Sequence, residues 1–110
     1  MQKLSVAAQA RELLAQAASA PGGRAAQTVL GGHERILRQT VIAMIKDSAL
    51  SEHASPGEGS VYVLRGRVSL AAGSEAWEGG DGDLLLIPDA PHSLLALQDS
   101  AVLLTVAKRL

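Results

Sequence analysis

Beyond Gly23 the chain is interrupted at short, regular intervals, and that rhythm restricts its fold more than any other feature. Runs rich in β-branched or apolar residues span 24–30, 34–45, 50–55, 60–64, 67–72, 75–78, 84–88, 93–97 and 101–107. Between them stand turn formers such as Gly31-Gly32, Lys46-Asp47-Ser48, Pro56-Gly57-Glu58-Gly59, Gly79-Gly80-Asp81-Gly82 and Asp89-Ala90-Pro91. Glycine and proline supply the backbone angles that reverse a chain, and short strands joined by such reversals predict an all-β sandwich or barrel.

Three runs are apolar at almost every position: Val41-Ile42-Ala43-Met44-Ile45, Leu84-Leu85-Leu86-Ile87 and Val102-Leu103-Leu104. Side chains alternate between the faces of a strand, so a strand apolar throughout needs cover on both sides. One face would line the interior. The other needs a second layer, which the segment before the strands can partly supply. Residues 4–20 are rich in Ala, Leu, Gln and Arg, with Ser5 as a candidate N-cap and Pro21-Gly22-Gly23 as a stop. A helix is predicted there, with only a thin apolar stripe along Leu4, Ala7, Ala8, Arg11, Leu14, Ala15 and Ala18. Since one thin stripe covers little, a homodimer is expected to cover the rest. The organisation read from this pattern is an N-terminal helix and turn over 1–23, followed by a β domain over 24–110.

Composition narrows the partners. Ten Lys and Arg stand against eleven Asp and Glu, which gives no electrostatic footprint for nucleic acid or an acidic membrane. The aromatic residues are Tyr62 and Trp77, so stacking platforms for bases are scarce. With no cysteine, disulfides and thiolate metal sites are excluded, and imidazole, carboxylate and water remain as ligands. The N-terminus lacks the pattern of a secretory signal, and no apolar run approaches the ~20 residues that span a bilayer. A cytoplasmic location is expected.

Two segments carry the chemistry. The first runs from Glu52-His53-Ala54-Ser55 through Gly59 to Val61-Tyr62-Val63-Leu64-Arg65-Gly66; the second is Gly82-Asp83-Leu84-Leu85-Leu86-Ile87-Pro88-Asp89-Ala90-Pro91-His92. Each joins a strand-like run to a histidine and to glycine or proline punctuation. Together they resemble the two motifs of the cupin family. The resemblance implies a double-stranded β-helix, the jelly roll of small RmlC-like cupins, covering roughly residues 34–108. Aligned on the turn glycine Gly66, His53 falls at the first histidine position of the first motif, Ser55 at the second and Gly59 at the glutamate position. In the second motif Gly82 and Pro88 match, Ala90 replaces the turn glycine, and His92 comes one residue early.

The resemblance thus supplies two imidazoles, His53 and His92, where a transition-metal site needs about three protein ligands. A third would have to come from Glu58, His33 or Gln39. Gln39 shares a face with Leu37, Val41 and Ala43, and if that face is interior its amide needs a partner. The sequence therefore predicts a small molecule bound in the barrel cavity, with His53, His92, Gln39 and Ser55 as binding residues and a degenerate metal site at His53 and His92. The alternative is a metal-dependent oxygenase, isomerase or hydrolase holding Fe, Mn, Zn or Ni through both histidines and an irregular third ligand. A bare structural or interaction module is the expectation if Leu and Val fill the interior.

Overall fold

Ser5 opens the first element by accepting a hydrogen bond from the Ala8 N–H at 3.1 Å, which satisfies one of the donors left unpaired at a helix start. Helix α1 follows over Val6–Ser19, and a short 3-10 turn, Pro21–Gly23, redirects the chain into strands. Gly22 and Gly23 both have positive φ; at Gly23 a Cβ would also lie 2.6 Å from the Ile45 side chain. The structure, a computed structural model, describes residues 2–54 and 57–108, with the side chains of His53 and Gly57 outside that description.

Nine strands come next among the described residues: β1 Arg24–Leu30, β2 Leu37–Met44, β3 Ala49–His53, β4 Gly57–Arg65, β5 Arg67–Ala72, β6 Glu75–Gly80, β7 Leu84–Leu86, β8 His92–Ala96 and β9 Ser100–Lys108. They form two antiparallel sheets, ordered β1-β2-β9-β4-β7 and β3-β8-β5-β6. Neighbours in a sheet are mostly distant in sequence: β2 pairs with β9 from Leu37↔Ala107 to Met44↔Ser100, and β9 pairs in turn with β4. This is jelly-roll connectivity, in which the chain passes repeatedly from one sheet to the other.

The strands apolar on both faces find both covers. Ile42 and Met44 of β2 point between the sheets, into a core with Val61, Val63, Val68, Leu70, Leu94, Ala96 and Val102. Val41 and Ala43, on the opposite face of the same strand, meet Ala10, Leu13 and Ala17 of α1 in a second core that includes Ala101. The helix packs chiefly on β1 and β2 and only slightly on β9, and it does so through Ala10, Leu13 and Ala17, a different face from the predicted stripe: Leu4, Ala7, Arg11, Ala15 and Ala18 are exposed, and only Leu14 of that stripe joins this core. At the β4–β5 reversal Gly66 has a φ of 96°, and a Cβ there would collide with the Ser100 hydroxyl and lie 2.5 Å from the Asp99 carbonyl oxygen. Only glycine fits that turn. Its N–H is held by the Asp81 carboxylate at 2.6 Å, which ties the β4–β5 turn to the β6–β7 turn.

Candidate functional site

His92 begins β8 and alternates with Leu94 and Ala96, both buried, so its imidazole also turns inward and is only 4% exposed. Nδ1 lies 2.9 Å from the Ala90 carbonyl oxygen. A carbonyl can only accept, so Nδ1 carries the proton in this bond, and in the neutral ring Nε2 is the acceptor. The early placement of His92 in its turn therefore still delivers it to the interior.

Position 53 is brought to the same place by a bulge. Leu50 pairs with Leu94, yet His53 pairs with His92, so β3 advances three residues while β8 advances two. The added residue reverses the alternation of β3 and sets position 53, in place of Glu52, across from His92. Two histidines far apart in sequence thus occupy one register position, which is a statement about backbone. The side chain of His53 and the whole of Ser55 lie outside the described residues.

The glutamate position is closed by packing. Gly59 lies two residues before the inward-facing Val61, and a Cβ on it would stand 2.8 Å from the Thr105 carbonyl oxygen and 3.1 Å from both Ile87 Cδ1 and Val106 Cγ1. Ile87 and Val106 occupy the volume that a glutamate side chain would need. Sequence reasoning saw Gly59 as a missing ligand; it did not see that β9 and the segment after β7 close over the position.

Gln39 stands elsewhere. It pairs with Thr105 and donates from Nε2 to the Thr105 hydroxyl at 3.1 Å. Val41 and Ala43 on its face pack against α1, so this amide belongs to the outer side of the five-stranded sheet, and its partner is a neighbouring strand. Glu58 and His33 are exposed, Glu58 on β4 and His33 in the β1–β2 connection. Among the described residues no group of three or more His, Cys, Asp or Glu could hold a metal ion.

What the sheets enclose at His92 is a cavity of about 30 Å³, lined by Ile42, Leu50, Val61, Leu70, Ile87, His92, Leu94, Val102 and Leu104. That is room for a water-sized guest, since one water needs about 10–15 Å³ on this measure. Pockets that hold drug-sized ligands measure roughly 300–1,000 Å³. Eight of the nine lining side chains are aliphatic, and the ninth is the imidazole. The aliphatic residues were legible as core from their alternation; their closing of the interior to this size was not, because it depends on which side chains meet across the two sheets.

Solved structures share this arrangement. A conserved protein of unknown function from Streptococcus pyogenes is 26% identical, with a TM-score of 0.72 over 79% of this chain and 75% of that one. A cupin superfamily protein from Desulfitobacterium hafniense superposes with a TM-score of 0.70 at 14% identity, over 78% of each chain. An RmlC-like cupin from Shewanella frigidimarina gives 0.70 at 20% identity, over 81% of this chain and 79% of that one. The chain has the RmlC-like cupin fold. No protein-family model and no curated protein matches it.

Set against the metal positions of a cupin, the described residues do not fit a metal. His92 is buried at its expected place, and position 53 stands opposite it on the backbone. The glutamate position is a glycine walled by a carbonyl oxygen and two aliphatic side chains, and neither Glu58 nor Gln39 stands in for it. No carboxylate among the residues lining the cavity faces the imidazole. Among the described residues, one imidazole in an aliphatic wall makes a hydrogen-bonding site before it makes a metal centre.

Proposed function

We propose that this chain is a metal-independent cupin whose sheets close as a double-stranded β-helix, and that it serves as a binding protein for a compact, mostly aliphatic molecule with one hydrogen-bonding group. The observation that carries this reading is His92, among the described residues the one polar side chain in an aliphatic lining, with its tautomer set by the Ala90 carbonyl. The imidazole would give a ligand hydroxyl or amide a polar neighbour in that lining while the ligand's alkyl part lay against Leu and Ile. Leu50, Ile87 and Leu104 are only partly buried, and they are the side chains that would turn aside to admit a guest larger than the present 30 Å³. Cupin-fold proteins support many activities, so this reading rests on the cavity and not on the fold.

Short primary alcohols test it, because ethanol, propanol and butanol pair one hydroxyl donor with a growing alkyl chain. The reading predicts saturable shifts of the His92 ring nitrogens and of the Leu50 and Leu104 methyl groups, tightening with chain length and lost in His92→Ala. Shifts that never saturate, or that spread over the surface, would contradict it. The small size of the cavity favours a second reading, in which the interior is simply packed and the protein works through its outer surface.

A further inference from the structure

An inward-facing tryptophan that solvent still reaches marks a gap in the sandwich. Trp77 of β6 pairs with Leu70 of β5, and residues paired across two strands share a face. Leu70 is 1% exposed in the core between the sheets, yet Trp77, on the same face, is 44% exposed. The reason is topological. Among the described residues β6 ends the four-stranded sheet and β7 ends the five-stranded one, so neither sheet continues past that side to cover the indole.

Between these two edges lies a groove of about 330 Å³, lined by Leu70, Trp77, Leu84, Leu85 and Leu86. That volume falls within the roughly 300–1,000 Å³ of pockets that hold small organic ligands. Gly79 helps to shape it. A Cβ there would stand 3.2 Å from Leu85 Cδ1, so Leu85 rests against the bare backbone of β6, one step along from Trp77. Leu70 lines both this groove and the His92 cavity and divides the two.

The charge around the groove has one sign. Residues 68–107 carry Glu75, Glu78, Asp81, Asp83, Asp89 and Asp99 and no lysine or arginine. Three of these carboxylates are engaged within the fold: Glu78 pairs with Arg67 at 2.8 Å, Asp81 accepts from the Gly66 N–H, and Asp83 accepts from the Gly80 N–H. Glu75 is exposed and has no ion-pair partner among the described residues. It stands two residues from Trp77 on the same face of β6, about 7 Å along the strand. An indole face attracts a cation through its quadrupole, and a carboxylate within reach selects the same sign. The leucines favour an alkyl or aryl body. We infer that the β6–β7 groove binds a small organic ammonium ion, with its body against the leucines of β7 and its charged nitrogen between the Trp77 indole and the Glu75 carboxylate.

Trp77 is the sole tryptophan, so its emission reports on the groove directly. Titration of the full chain with 2-phenylethylammonium is expected to give a saturable change in that emission. The ammonium ion should bind at least about tenfold more tightly than the neutral 2-phenylethanol, as a cation–π contact and a carboxylate together imply. The anion 3-phenylpropionate should give no saturable change. In Glu75→Gln, with circular dichroism confirming the fold, the ammonium ion should lose most of its advantage over the alcohol. Trp77→Leu, followed by the methyl resonances of Leu84, Leu85 and Leu86, should bind it several-fold more weakly. His92→Ala should leave the wild-type titration unchanged, so that this site and the His92 cavity stand or fall separately. A response that never saturates, equal affinity for alcohol and ammonium ion, an advantage undiminished in Glu75→Gln, or binding lost in His92→Ala would overturn the inference. So would an emission that changes with protein concentration alone, because a second copy would then fill the groove.

Discussion

At position 59 a hydrogen atom stands where any other residue would put a Cβ 2.8 Å from the Thr105 carbonyl oxygen. That oxygen belongs to the β4–β9 pairing and cannot move without disturbing the ladder. Gly59→Glu, which would write the family's carboxylate back into the sequence, is therefore expected to lower stability by roughly 1–3 kcal/mol, the usual cost of forcing atoms into a packed site. Urea unfolding checks this; a fully stable Gly59→Glu would mean the position is open and the argument about the metal weaker. His92 is held differently, by a carbonyl and by its own burial. His92→Ala enlarges the cavity and removes the donor to Ala90, and a loss of about 1–3 kcal/mol is expected in the same assay. An unchanged midpoint would show that the ring contributes nothing to the fold.

Among the elements, α1 has the clearest energetic division. Leu13 is 2% exposed against Val41 and Ala43, so Leu13→Ala should cost about 2–4 kcal/mol, within the range for buried leucines. Ser5→Ala removes only a cap, and about 1 kcal/mol is expected. Thermal unfolding of the two variants should separate them in that order; equal effects would mean that the helix is held by its cap and not by its packing. The strands were legible to different degrees for physical reasons. β1 and β5 match their predicted limits because Gly31-Gly32, Arg65-Gly66 and Gly73 bound them with unmistakable turns. β2 starts at Leu37, not at Glu34, because the N–H of Arg35 bonds to the Gly32 carbonyl in a turn that apolar content does not reveal. β4 is longer than its apolar run because pairing with β9 recruits Gly57 through Gly59, residues with no strand preference of their own. The inward placement of His92 was legible from the second motif, and its alternation with Leu94 and Ala96 on β8 is the physical reason for it. The site was not legible at Gln39, whose face could be assigned only once the helix was seen to cover Val41 and Ala43.

For the molecule as a whole, two sheets and a helix arrange two cores around β2 and leave the β6–β7 groove and the small His92 cavity as its features of interest. No helix among the described residues is long and apolar enough to cross a membrane. The central proposal is that this chain of cupin fold works without a metal, because packing at Gly59 closes the place where the cupin motif would put its carboxylate, while His92 remains. Elemental analysis of untagged protein, purified without added metal and repeated on His53→Ala and His92→Ala, tests that claim most directly. The account predicts iron, manganese, zinc and nickel well below one atom per chain in all three proteins. One tightly held metal atom per chain in the wild type, lost when either histidine is replaced, would contradict it.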